Sequence, residues 1–386
     1  MAAVPRPVAW LLACFLLSGC ATSRPPDAFL KALKEHPEET ALVRGVPPYS
    51  SAKPRAEFGP LSSVLRFWKR TASPSSLERW YAEHAAGTDP LHRPALCALD
   101  HGLWALASSG SPAKLKARLR CGIPVIALLQ TNALDPSTRR YPVVIGYDDR
   151  GGQILCHTGA ARPVLVPWAD FLRAWRVYDH WMLVICPPEA PCWHLDGNER
   201  VSRGRFYEAT RQPAEALGDY EAALKLESSD AGLRVRLGNV YRALGRDGDA
   251  ERAYRLAIAE DPHNAKAYNN LAYLLAEQAR ALDEAVALAR QALILEPTSP
   301  LATDTLGFAL YQQGKYGEAA DVLERARARA RDLPADTQID IGLHLVRAQV
   351  RSGQEHLARQ VLSDLARRHR RLVVPADLRP LLKPRP

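Results

Sequence analysis

The chain predicts two architectures in succession. An α+β domain of helices and antiparallel sheet comes first, and an all-α superhelix of stacked helical hairpins follows. Two observations carry this. From Gly197 onward, small and apolar residues recur at helical spacing with a period of thirty-four. Before it, a set of helices gives way to short apolar runs punctuated by tight turns, the pattern of antiparallel strands. Length agrees: 386 residues are enough for two domains.

The N-terminus comes first. Arg6 precedes the apolar run Val8-Ala9-Trp10-Leu11-Leu12-Ala13-Cys14-Phe15-Leu16-Leu17, followed by Ser18-Gly19-Cys20. The run is too short to span a bilayer and has the length of a signal peptide. Leu17-Ser18-Gly19-Cys20 resembles a bacterial lipobox. That resemblance implies removal of residues 1–19 and a diacylglyceryl group on the Cys20 thiol, with acyl chains anchoring the protein. Ala21 in place of Asp implies the outer membrane, with the chain facing the periplasm. Residues 20–45 read as a tether holding one short helix over 27–34.

The next region, 46–190, predicts helices over 58–68, 76–84 and 94–101, a turn and strand over 101–106, and a helix over 111–119. Strands follow over 121–129, 141–148, 153–157 and 163–166, then a helix over 168–175 and a strand over 181–185. Three stretches carry a resemblance: Val46-Pro47 with Gly59-Pro60, Tyr141-Pro142-Val143-Val144-Ile145-Gly146-Tyr147-Asp148, and 166–175, which ends Phe171-Leu172-Arg173-Ala174-Trp175. Together they resemble the papain-like cysteine peptidases of the bacteriocin-leader-processing (C-39-like) group. In that family a cysteine at a helix N-terminus is the nucleophile, since the helix dipole favours the thiolate. Here that position is Phe58. The general base falls at Arg140, and the residue orienting it at His157. No glutamine precedes Gln130 to supply the oxyanion donor. The resemblance therefore implies a pseudo-peptidase whose cleft holds a peptide without cutting it. Phe58 has two readings, an apolar contact for a bound peptide or a plug in an empty pocket. The competing function is an active peptidase with a displaced nucleophile, Cys97 near His101 or Cys156 beside His157.

Five cysteines follow Cys20: Cys97, Cys121, Cys156, Cys186 and Cys192. An exported protein can form disulfides, and Cys186 and Cys192 are near enough in sequence to pair. Cys186, Cys192 and His194 match no standard metal spacing, so neither metal nor other cofactor is expected.

The repeats run 197–230, 231–264, 265–299 and 300–333, with a degenerate copy over 339–372. Gly204 and Tyr220, Gly238 and Tyr254, Ala272 and Ala285, and Gly307 and Leu323 hold matching places; Leu345, Ala358 and Leu362 mark the last copy. These copies resemble tetratricopeptide repeats, whose hairpins stack because a lone one cannot bury its apolar face. The resemblance implies a groove lined by the first helix of each hairpin. Arg205, Val235, Asn239, Arg242, Asn269, Tyr273, Phe308 and Gln312 take the groove positions, and Asn239 with Asn270 matches the asparagine pair that grips a ligand backbone. Val235, Leu301 and Thr305 stand where the family's carboxylate clamp has cations, so capture of a C-terminal carboxylate is not expected.

The net charge of +9 is concentrated late. Past Asp364, Arg367, Arg368, Arg370, Arg371, Arg379, Lys383 and Arg385 face only Asp377. The basic tail, 373–386, has two readings: a site for anionic lipid or polymer, or a solvated helix end. Export argues against nucleic acid. The sequence thus points to a lipid-anchored scaffold that binds envelope protein or peptide partners, in secretion or surface-polymer assembly.

Overall fold

The computed structural model describes residues 25–49, 57–84, 93–130, 139–190, 195–226, 229–370 and 372–382. The chain divides into two compact units, Met1–Leu195 and Asp196–Pro386. Cys20, Cys192 and His194 lie outside the described residues.

The first unit begins with α1 (Asp27–Glu35) and β1 (Thr40–Leu42). Helices α2 (Phe58–Phe67), α3 (Pro74–His84) and α4 (Arg93–Asp100) follow, then β2 (Trp104–Ser109) and α5 (Pro112–Arg120). The remaining strands are β3 (Val125–Ala127), β4 (Leu129–Gln130), β5 (Arg139–Arg140), β6 (Val143–Asp148), β7 (Gln153–His157), β8 (Val164–Pro167) and β9 (Trp181–Cys186), with α6 (Trp168–Arg176) between the last two. The main sheet runs β2-β9-β3-β6-β7-β8, antiparallel throughout. A sheet with helices was expected, and an antiparallel sheet is what forms. The strands β3, β6 and β9 are buried on both faces, which explains their continuous apolar runs.

The segment expected to be a tether is largely built into this unit. β1 pairs with β6, Thr40 opposite Asp148 and Leu42 opposite Gly146. The pairing needs glycine: a Cβ on Gly146 would lie 2.5 Å from the Ala41 carbonyl oxygen. Phe29 of α1 is buried beside the same glycine. A three-residue strand has no periodicity to read, so the sequence left it unassigned.

Two tryptophans lock the rest. Trp175 Nε1 donates to Trp181 O at 2.7 Å, and Trp68 Nε1 donates to Ile185 O at 2.7 Å. Each removes a buried donor that would otherwise be orphaned. Pairing of Cys186 with Cys192, which the sequence left open, does not occur: Cys186 is a buried thiol on β9, and among the described residues Cys121 is disulfide-bonded.

The second unit is five helical hairpins: α7 (Gly197–Ala209) with α8 (Pro213–Leu226), α9 (Ala231–Ala243) with α10 (Asp247–Glu260), α11 (Ala265–Glu277) with α12 (Leu282–Leu295), α13 (Pro300–Gln312) with α14 (Tyr316–Arg329), and α15 (Ala335–Arg351) with α16 (Glu355–Arg368). The period is written in the caps. Asp196, Asp230, Asn264 and Ser299 each accept a hydrogen bond from the backbone three residues on, and Asp196 forms a full capping box with Glu199. Each cap contributes about 1 kcal/mol by satisfying an orphan N–H. The hairpin turns pass through the left-handed region at Arg211, Gly245, Gly314 and Gly353. The longer third turn uses Ala279 and Ala281 instead. Buried alanines and leucines run from Ala250 to Leu365 as one continuous core.

Two boundaries differ from the sequence reading. The fifth hairpin starts at Ala335 rather than 339, with a first helix of 17 residues. Residues 372–382 are not a solvated tail. Leu378 and Leu381 are buried, Arg347 pairs with Asp377 at 3.0 Å, and Arg359 donates to the Leu381 carbonyl. This segment covers the open end of the array, as terminal repeats require.

Candidate functional site

Along the row of first helices, α9, α11, α13 and α15, side chains are stacked end to end. The Arg242 guanidinium lies 5.1 Å from the Tyr273 ring centre. Tyr273 stacks on Phe308 at 5.4 Å and 27°. Phe308 stacks on His344 at 4.7 Å and 20°. Each member comes from a different helix, so the ladder exists only because the repeats superpose. Arg242 is oriented by Glu277, whose Oε2 accepts from it at 2.5 Å.

A second row lies four residues earlier on the last three of these helices: Asn269, Asp304 and Asp340. Asp304 is 7% exposed and contacts His344 Nδ1 at 3.0 Å. Asp340 is exposed. Desolvation raises its pKa, the Asp304 and Asp336 carboxylates add to the rise, and His344 opposes it. Desolvation also raises the Tyr273 pKa, with Glu277 next in effect.

Amide groups extend the site toward the N-terminal repeats. Asn239 Oδ1 accepts from Tyr254 Oη and from Asn270 Nδ2, both at 2.8 Å. Asn270 Oδ1 accepts from Asn269 Nδ2 at 3.2 Å. Asn269 Oδ1 ends the chain, buried and without a hydrogen-bond partner. Asn239 also lines a cleft of about 320 Å³ with Glu208 and Arg211.

The structure therefore brings together Asn239, Arg242, Asn269, Asn270, Tyr273 and Phe308. Gln312 lies one turn beyond Phe308 on α13, and Arg205 is exposed on α7. Val235 does not belong to the face. It is 6% exposed and its apolar side chain packs into the continuous core, whereas the equally buried Asp304 at the equivalent place meets His344. Asp304, Asp340 and His344 were missed. His344 stands 36 residues after Phe308, and Phe308 stands 35 after Tyr273, so a register anchored on the rings would have found it.

In the first unit, Phe58 is buried at the start of α2 and meets the Tyr81 ring edge-on at 4.8 Å. Its neighbour Glu57 lines a cavity of only about 30 Å³ with Tyr141, Trp181 and Leu183. Arg140 sits on β5 opposite Leu129. His157, 1% exposed at the end of β7, lines a different cavity, about 360 Å³, with Leu30, Val43, Arg44 and Ile145. Tyr49 spans the strand ends, its Oη donating to His157 O at 2.9 Å and Tyr141 O at 3.1 Å. Burial lowers the His157 pKa to about 4, so the ring is neutral, and its Nδ1 has no partner. Burial pushes the Cys97 thiol up to about 12, with Asp100 adding to it, and raises Cys156 still further. Neither sulfur is available as a thiolate. Among the described residues no cluster of His, Cys, Asp or Glu could hold a metal, and no helix is long and apolar enough to cross a membrane.

The comparisons agree with the geometry of the second unit. The tetratricopeptide repeat family matches residues 202–265, 235–300 and 302–333. The C-terminal region is a tetratricopeptide repeat array. The chain is 38% identical over 82 residues to TPR repeat-containing protein PA4667 of Pseudomonas aeruginosa; the match covers 21% of this chain and 14% of that protein. Among solved structures it is similar to PilW, a widely conserved type IV pilus biogenesis factor: 22% identity, 47% of this chain, 80% of that one, TM-score 0.42. It is also similar to Pseudomonas aeruginosa PilF: 23% identity, 44% of this chain, 75% of that one, TM-score 0.39.

Proposed function

We propose that the protein is a scaffold of the cell envelope that captures extended segments of partner proteins on the first-helix face of its repeats. The stacked ladder Arg242–Tyr273–Phe308–His344 carries this reading. Half-buried rings in a row offer apolar area at low entropic cost, and the amide chain from Asn239 to Asn269 offers hydrogen bonds to a peptide backbone. Cys20 carries the lipid that holds the chain at the outer membrane. The first unit is a degenerate papain-like domain. Its support is the quoted resemblance, which puts Phe58, Arg140 and His157 at the reactive positions, together with a cavity of only about 30 Å³ lined by the neighbouring Glu57, and Tyr49 lying across the ends of β6 and β7.

The test is photo-crosslinking in cells, with benzoylphenylalanine placed at Phe308 or at Leu256, an exposed residue of α10. A discrete protein adduct from position 308, missing from 256 and lost on Tyr273→Ala, is expected. Equal adducts from both positions, or none from 308, overturn the reading. Cys20→Ala is expected to release the protein from the outer-membrane fraction; retention there refutes the anchor.

A further inference from the structure

We infer that the α11–α13–α15 end of this face binds an arginine-bearing segment, its guanidinium seated by Asp336 and Asp340 beside the Phe308–His344 ring pair. The inference rests on the groove reading above and adds the chemistry of the occupant.

The chain shows the chemistry at the opposite end of the ladder. There a guanidinium of its own, Arg242, lies over Tyr273 and is held by the Glu277 carboxylate. A planar guanidinium is suited to this combination, stacking on a ring while its N–H fork meets a carboxylate. At the His344 end the ring and the carboxylates are present, and among the described residues no Lys or Arg pairs with Asp336 or Asp340, the one partial offset to Asp340 coming from His344. Asp336 and Asp340 enter no ion pair among the described residues. His344 faces Asp304. The nearby arginines are engaged elsewhere: Arg347 with Asp377 at 3.0 Å, and Arg351 with Tyr316 Oη at 2.6 Å and over its ring.

Polarity along the row agrees. Asn269, Asp304 and Asp340 occupy equivalent places on successive first helices; Asp304 is buried against His344, and Asp340 is exposed. A cationic segment is attracted to the exposed Asp336 and Asp340 carboxylates, and an acidic one is repelled by them. The usual alternative for such a groove, a C-terminal carboxylate, finds Val235, Leu301 and Thr305 where cations would be needed, and Val235 and Thr305 are buried.

Fluorescence anisotropy of the detergent-solubilised full chain tests this. The probes are short fluorescein-labelled peptides of Gly, Ser and Tyr bearing either arginine or its neutral isostere citrulline. The arginine peptide is expected to bind at least about tenfold tighter than the citrulline peptide. Asp336→Asn with Asp340→Asn is expected to remove that preference, since both side chains are exposed and the change is isosteric. Glu318→Gln with Asp321→Asn, exposed on α14, is expected to leave it intact. Equal binding of both peptides, no binding of the arginine peptide, or a preference that survives the Asp336/Asp340 change overturns the inference. In each case a persisting crosslink from position 308 leaves the groove reading standing, and its loss removes both.

Discussion

Gly238 on α9 lies flat against the ring of Tyr254 on α10: a Cβ at Gly238 would stand 2.2 Å from Tyr254 Cε1. The ring cannot retreat. Tyr254 is fully buried, and its hydroxyl is held by Asn239 at 2.8 Å. The same pairing recurs as Gly204 with Tyr220 and Gly307 with Leu323. The repeat's small residue is therefore a packing requirement, and the tyrosine it admits orients a groove asparagine.

Gly238→Ala should destabilise the array by about 1–3 kcal/mol through overpacking. Gly248→Ala, on α10 with nothing within 4 Å of its added Cβ, should stabilise it by about 0.5–1 kcal/mol through helix propensity. Urea unfolding followed by far-ultraviolet circular dichroism gives both signs. Equal shifts for the two variants would refute the packing account.

Ala281 holds a left-handed backbone, φ 48°, at the N-cap of α12, a conformation that favours glycine. Ala281→Gly relieves the Cβ clash and should raise the thermal midpoint, the gain being about 0.5–1 kcal/mol. A lowered midpoint would mean the turn is not strained as described.

The first unit should weaken on acidification. The His157 pKa falls from its ordinary 6.5 to about 4 through burial. The unfolded chain therefore takes up the proton first. The stability held by the neutral ring is complete above about pH 6.5 and is lost as pH falls toward 4, up to about 3 kcal/mol. Tryptophan fluorescence isolates this unit, because all eight tryptophans lie at or before Trp193. The urea midpoint should fall between these pH values, and His157→Gln should flatten the dependence. An unchanged slope in that variant assigns the effect to other groups.

Cys97 and Cys156 should resist alkylation in the folded protein at neutral pH. Both are buried, with thiol pKa values raised by that burial. Iodoacetamide labelling mapped by mass spectrometry should show both only after denaturation. Rapid labelling of either in the native chain would favour the alternative, a peptidase with a displaced nucleophile.

Much of this molecule is written locally. Caps such as Asp230 and Asn264, turn glycines such as Gly245, and the small residues at Gly204 and Gly238 act within one hairpin, so their spacing alone determines the array. The apolar runs around Val125 and Val184 likewise specify strands buried on both faces. What the tertiary structure decided is everything that depends on which helix faces which. Val235 and Asp304 hold equivalent places in their repeats and both are buried, yet one packs into the apolar core and the other meets His344. The ladder partner His344 escaped the period because α15 begins at Ala335 and runs long. β1 became a strand only because Gly146 lets its backbone approach. Periodicity records how a residue sits on its own element; contacts between elements are set by the superhelical offset and by close approaches that no single stretch encodes.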